Sequence, residues 1–123
     1  MYPPNKKRFV DEFSVFERST EASRIMTKYV DRIPIICEKN PRDNGIVNLD
    51  KHKYLVPHDI TVGQFMYVIR KRLRLPAGDA IFLFVGDNHT IVPINTAIDQ
   101  VYSLFKNPDG FLYIMYSKEN VFG

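Results

Sequence analysis

Two nearly continuous apolar runs, Arg32–Glu38 and Phe111–Ser117, stand near opposite ends of the patterned part of the chain. A strand with one wet face alternates apolar and polar residues; a run that does not alternate suits burial on both faces. Two such runs belong side by side in the middle of a sheet. Most of the chain separates them, so no hairpin joins them, and they are expected to pair in parallel through a long crossover. Pro34 has no N–H to give to a ladder. The first strand therefore lies at an edge or has one unpaired side at that point.

The intervening segments carry their own signals. Ser14-Val15-Phe16-Glu17 is a capping-box pattern, and a helix from there to about Tyr29 would put Val15, Ala22, Ile25, Met26 and Tyr29 on one side. Asn40–Asp50 is polar, with a turn signal at Asn44-Gly45. Lys53–Val56 reads as a strand stopped by Pro57. Thr61-Val62-Gly63-Gln64 is a second capping box, heading a helix that carries Val62, Phe65, Val68, Ile69 and Leu73 and ends before Pro76 and Gly78. Ala80–Val85 is a strand, Gly86-Asp87-Asn88 a turn, and Thr90–Val92 a further short strand. Thr96-Ala97-Ile98-Asp99 resembles a third capping box, followed by Ile98, Val101, Tyr102 and Phe105 at helical spacing. Asp109-Gly110 turns the chain into its last strand. Two hairpin strands, a helix across them and further strands make the plan of a ubiquitin-like β-grasp. The expected division is a helical segment over 1–30, the β-grasp over 31–117 and a tail over 118–123.

Composition excludes several classes. With 123 residues, 45% of them hydrophobic and 25% charged, the chain can bury one core but not two. The longest apolar runs, Ala80–Gly86 and Phe111–Tyr116, fall short of the ~18 residues of a membrane span. The N-terminus has charge without an apolar stretch behind it, so no secretory signal is expected. A single cysteine, Cys37, excludes an internal disulfide and a multi-Cys zinc site, and points to a reducing, cytoplasmic compartment. His52, His58 and His89 have no partners at metal-ligand spacing, and no cofactor is expected. Cys37 sits between Ile36 and Glu38 in a strand and reads as core rather than nucleophile. No nucleophile motif or phosphate loop is present, so an enzyme is not expected. The net charge of +3 is mild. Arg70-Lys71-Arg72-Leu73-Arg74 is either a solvated helix face or a site for acidic side chains or lipid headgroups. The aromatics are not interleaved with basic residues, and nucleic acid is not expected as a partner.

Alternation puts Ile33, Ile35 and Cys37 on one face of the first strand and Pro34, Ile36 and Glu38 on the other; Lys53 and Leu55 lie opposite Tyr54 and Val56. One face packs on the central helix. The other is covered by the N-terminal segment or left partly open as a groove. The sequence closes on Gly123, and a tail ending without a Cβ suits threading through a narrow enzyme channel.

These stretches together resemble the ubiquitin-like autophagy modifier family, which includes GABARAP and the microtubule-associated-protein light chains. The matching runs are Arg32–Lys39, Asp50–Pro57, Thr61–Phe65 continuing into Ile69–Leu73, Ala80–Val85, Asp109–Tyr113 and the end Phe122-Gly123. The resemblance implies an α+β, ubiquitin-like β-grasp with two extra N-terminal helices. It implies that Gly123 is adenylated and carried as a thioester by E1-like activating and E2-like conjugating enzymes. It is then amide-linked to phosphatidylethanolamine, and a cysteine protease processes and deconjugates it. The chain would be cytoplasmic, and peripheral on autophagosomal membranes when lipidated. The resemblance further implies a groove for cargo receptors that present an aromatic residue, two variable residues and an aliphatic one. Its aromatic pocket would use Glu21, Ile25, Pro34, Ile36, Lys53, Leu55 and Phe111. Its aliphatic pocket would use Tyr54, Val56, Pro57, Ile60, Phe65 and Val68, with Arg32, Lys51 and Arg72 meeting acidic residues around the motif. Two alternatives stand beside this reading: a ubiquitin-like adaptor that binds peptides without being conjugated, and a basic module for RNA or tubulin working through Lys6, Lys7, Arg8 and the 70–74 cluster.

Overall fold

The structure is a computed structural model and describes residues 8–118. Its elements run α1 (Phe9–Glu12), α2 (Val15–Lys28), β1 (Arg32–Lys39), β2 (Lys53–Pro57), α3 (Val62–Leu73), β3 (Phe82–Val85), α4 (Ile98–Phe105) and β4 (Leu112–Ser117). The strands form one sheet in the order β2-β1-β4-β3. The two apolar runs are its inner pair and run parallel, in register from Ile35↔Leu112 to Lys39↔Tyr116. Strands β2 and β3 flank them antiparallel.

Pro34 takes the second of its two options. The Cys37 N–H donates to the His52 carbonyl at 2.8 Å. Alternation then turns the nitrogen of Pro34 away from β2, toward the β4 side. There the β1–β4 ladder begins one residue later, at Ile35. The proline is central in the sheet and removes no bond from it.

The strand faces divide as alternation dictates. On one face Ile33, Ile35, Cys37, Tyr54 and Val56 pack with Val62, Phe65, Ile69 and Leu73 of α3 and with Ile98 and Val101 of α4. Burying each large side chain there stabilises the layer by about 2 kcal/mol. On the other face Ile36 and Phe111 meet Phe9, Ala22 and Ile25 of the N-terminal helices. Helix α2 comes so close that a Cβ at Gly110 would stand 2.8 Å from the Ala22 Cβ, and Gly110 has a φ of +98°. Both facts require glycine there.

The capping boxes at Ser14 and Thr61 form with both reciprocal hydrogen bonds. At α4 the expected box is absent: Ala97 is the cap and makes no side-chain bond. The first N–H groups of α4 are instead taken by the carbonyls of Ile60 and His58, at 2.8 and 3.1 Å from Ile98 and Asp99. Thr90–Val92 is no strand; Thr90 makes a single bridge to Val85. Val15, expected on the inner side of α2, is exposed, and Val68 of α3 is partly so. The polar loop 40–50 hides two core residues, Ile46 and Leu49. The expected tail and Gly123 fall outside the described residues, apart from Lys118.

Candidate functional site

Strand β2 is an edge of the sheet, bonded to β1 on one side only among the described elements. Its register with β1 sets Leu55 beside Pro34 and Lys53 beside Ile36. Helix α2 crosses above them. Its capping box fixes where the helix starts, and from that start Ile25 and Ala22 point down and Glu21 points toward β2. Glu21 Oε2 accepts from Lys53 Nζ at 2.5 Å, and Glu21 Oε1 accepts from Arg24 Nε at 2.8 Å. Hydrogen bonds from Arg24 and then Lys53 hold the Glu21 carboxyl down to about 2, below its ordinary 4.5.

The seven residues expected at the aromatic pocket are thus gathered on one face, but not as open walls. Pro34, Ile25, Ile36 and Phe111 are buried, and Leu55 is half-buried. They lie in the packed layer, and none of them lines the opening. A cleft of about 260 Å³ remains above, lined by Phe9, Phe13, Glu17, Glu21 and Lys53. Phe9 meets Phe13 at a tilt, with centroids 5.0 Å apart, and Phe111 edge-on at 5.3 Å. Phe9, Phe13 and Glu17 were not among the expected site residues. Their signal was present as Phe9 and Phe13 at helical spacing of four, followed by the capping glutamate.

The aliphatic set lies on the opposite face of β2. Tyr54, Val56 and Phe65 belong to the main core, with the Tyr54 and Phe65 rings perpendicular at 5.7 Å. Ile60 is half-buried, and Pro57 and Val68 are exposed. Only a ligand running along the free edge of β2 can touch both sets. Of the basic rim, Lys51 lies 5.2 Å from the Tyr54 ring. Arg72 pairs with Asp50 at 3.1 Å, and Arg32 is half-buried in β1. Arg70 is engaged elsewhere, donating to the carbonyls of Asp79 and Pro76.

The cover over this site is pinned at its far side. Arg18 of α2 meets Asp109 at 2.9 Å, with the Asp109 side chain 1% exposed. Asp109 also accepts from the Tyr113 hydroxyl at 2.6 Å and the Phe111 N–H at 2.8 Å. Burial, and then the bond to Asp109, push the Tyr113 hydroxyl well above its usual range, so it remains a donor. Glu38 accepts from the Phe9 N–H at 2.8 Å, fixing α1. No group of three His, Cys, Asp or Glu side chains is disposed to hold a metal among the described residues.

The Glu21 geometry gives a pH prediction. A depressed carboxyl contributes stability above its unfolded value and loses it as pH falls through its folded value. The Glu21–Lys53 pair should therefore hold fully above about 4.5 and weaken only as pH falls toward about 2. A carbon-detected NMR titration of the Glu21 carboxyl should show a midpoint near 2, and Lys53→Ala should raise it. A midpoint at 4.5 in the unsubstituted chain would contradict the pair in solution.

Comparison with known proteins bears on the whole chain. The family model described as "Autophagy protein Atg8 ubiquitin like" matches residues 17–123. Autophagy-related protein 8 of Pichia angusta is 52% identical over 118 residues, covering 96% of this chain and 92% of that protein. Autophagy-related protein 8 of Kluyveromyces lactis is 50% identical over the same length, covering 96% and 93%. Among solved structures, the crystal structure of Trypanosoma brucei ATG8 superposes with a TM-score of 0.83 at 39% identity, covering 92% of this chain and 95% of that one.

Proposed function

The chain belongs to the Atg8 family of ubiquitin-like autophagy proteins, and from that membership we propose that it is a modifier conjugated through Gly123 to phosphatidylethanolamine and an adaptor for cargo receptors. The observation that carries the adaptor half is the free edge of β2 beside the cleft under α2. A peptide added as a strand there takes its backbone bonds from the edge. Its aromatic residue enters between Glu21, Lys53 and Leu55, and its aliphatic residue, three positions on, reaches Pro57, Ile60 and Val68. Arg32, Lys51 and Arg72 meet acidic residues around the motif.

Burying one aromatic and one leucine gives about 6–8 kcal/mol gross. Strand pairing adds to this and ordering the peptide subtracts, leaving a micromolar affinity, about −8 kcal/mol. Weak single contacts suit a protein displayed in many copies on a membrane, where multivalency supplies the grip. Titrating an aromatic-x-x-Leu peptide should show Leu55→Ala weakening binding about tenfold and Lys53→Ala weakening it several-fold. Unaltered affinity in both variants would refute the site.

The conjugation half uses Gly123 as a substrate, with the catalytic cysteines on other proteins. The Gly123 carboxylate attacks the α-phosphate of ATP and expels pyrophosphate. A thiolate of the E1-like enzyme then displaces AMP, and the acyl group passes to a thiolate of the E2-like enzyme. The phosphatidylethanolamine amine attacks the thioester carbonyl, loses a proton and expels that thiolate. With no Cβ on Gly123, each attack meets an open carbonyl. A cysteine protease removes any residues beyond Gly123 and later hydrolyses the amide. This cycle moves a cytoplasmic chain onto autophagosomal membranes and back. No helix among the described residues is long and apolar enough to cross a membrane, so two acyl chains would supply the hold. Removing Gly123 separates this from the non-conjugated adaptor: membrane recruitment in cells is lost on the first reading and unchanged on the second.

A further inference from the structure

Both ladders that hold β4 stop at its C-terminal end. The pairing with β1 ends at Lys39↔Tyr116 and that with β3 begins at Phe82↔Ser117. The next backbone N–H, that of Lys118, goes to no strand. It donates to Asp43 Oδ2 at 2.6 Å, and the Ser117 hydroxyl donates to the same oxygen at 2.9 Å. Asp43 comes from the polar loop after β1, and it is itself held. Its Oδ1 accepts from the Gly45 N–H at 2.9 Å, and its own N–H donates to the Asn40 carbonyl at 3.0 Å. Lys39 Nζ donates to the carbonyls of both Asn40 and Asp43. The Asp43 residue is 9% exposed.

We propose that Asp43 is a positioning residue for conjugation: its carboxylate clamps the backbone at Lys118 and so fixes the point from which the segment leading to Gly123 departs. This rests on the reading of Gly123 given above. Five residues, Glu119–Gly123, follow the clamp. Fully extended, such a segment reaches at most ~17 Å. The enzymes that handle Gly123 must therefore dock against the body within that distance, and the clamp sets their origin. Opening it frees the backbone at Lys118 and moves the last fixed point back to Ser117, which the Phe82↔Ser117 pair still holds. Each freed residue brings conformational freedom that a narrow enzyme channel must remove. The Asp43 carboxylate gathers three donors, two of them at the end of β4, where both ladders have stopped.

Burial opposes ionisation of Asp43, yet the hydrogen bonds from Lys118, Gly45 and Ser117 and the nearby Lys39 charge outweigh it, and its carboxyl stays below the usual range. The clamp is thus charged at neutral pH, where charge-assisted hydrogen bonds are strongest.

The test reconstitutes the chain ending at Gly123 with E1-like and E2-like enzymes, ATP, Mg²⁺ and vesicles containing phosphatidylethanolamine. Initial rates of E2 thioester formation are measured alongside hydrogen exchange of the Lys118 amide. Asp43→Ala should speed exchange at Lys118 by about tenfold or more. It should also lower kcat/KM about three- to tenfold through KM, with kcat held. Ser117→Ala removes one donor and keeps the Lys118 bond, so it should give a smaller change in both; it carries the test if Asp43→Ala does not fold. Faster exchange with unchanged kinetics would overturn the positioning role, and so would exchange at Lys118 that neither variant alters. A fall in kcat with KM unchanged would also overturn it. If the unsubstituted chain forms no thioester, the conjugation reading fails first and the positioning role fails with it, an outcome distinguishable because it needs no variant.

Discussion

Replacing Asp109 by alanine should lower folding stability by about 3–5 kcal/mol, the cost of breaking a buried ion pair by deleting one partner. The Asp109 side chain lies 91 residues along from Arg18 and joins the two ends of the described fold. Its loss would strand three donors at once: the Arg18 Nε–H, the Tyr113 hydroxyl and the Phe111 N–H, while Arg18 Nη1 keeps the carbonyls of Val10 and Phe13. Arg18→Ala should cost less, because Asp109 keeps two of those donors. Chemical denaturation should show a lower midpoint with an unchanged m-value, and heating a melting point lower by on the order of 10–15 °C. The two substitutions combined should cost less than their sum, since they remove one interaction. The proposed peptide site would suffer too, because α2 carries Glu21 and Ile25 and loses its fastening. A cost of under ~1 kcal/mol for Asp109→Ala would mean that solvent reaches this pair and that the cover over the sheet is held by its other contacts, the packing of Phe9, Ala22 and Ile25 and the bonds of Glu38 and Glu21.

Deleting Gly123 should abolish membrane attachment in the reconstituted system. Two acyl chains of ordinary length bury about 30 methylenes, about 24 kcal/mol gross at ~0.8 kcal/mol each. Nothing else in the described chain approaches this. The exposed apolar side chains of the N-terminal helices, Val10, Val15 and Phe16, together offer only a few kcal/mol, roughly 3–5. The deleted chain would end in Phe122, whose side chain crowds the carbonyl that each thiolate and the lipid amine must reach. Vesicle flotation should therefore find the deleted chain unbound, at the level of the full chain without ATP. Flotation of the deleted chain equal to the full chain would favour the non-conjugated adaptor and assign the membrane grip to residues such as Phe16.

Much of the fold was legible because its strongest determinants are local or periodic. The unbroken apolar character of Arg32–Glu38 and Phe111–Ser117 announced a central parallel pair, and β1 and β4 are that pair. The Ser14 and Thr61 boxes formed because the Glu17 and Gln64 N–H groups remain free for them; at α3 the carbonyls of Thr96 and Ile94 take only the Val62 and Gly63 N–H groups. The pattern at Thr96 is equally good in sequence, yet the chain at 58–60 reaches the start of α4 first with backbone carbonyls. That competition is tertiary and leaves no mark in four residues. Helix α1 is legible only through the family resemblance, since Phe9–Glu12 is too short to form without Glu38 and Phe111 to hold it. Alternation correctly assigned Leu55 and Tyr54 to opposite faces of β2. It could not say that Ile25, Ile36 and Phe111 would be packed under Phe9 rather than line the cleft, because that depends on where Phe9 and Phe13 settle. The clamp at Asp43 was invisible for the same reason: its partners, Ser117 and Lys118, are 74 and 75 residues away.

The most direct measurement is intact mass spectrometry of the chain recovered from the membrane fraction of cells undergoing autophagy. Conjugation predicts a mass raised by one phosphatidylethanolamine less one water, with fragmentation assigning the addition to Gly123. A membrane-bound chain of unmodified mass, or one modified at any other residue, would contradict it.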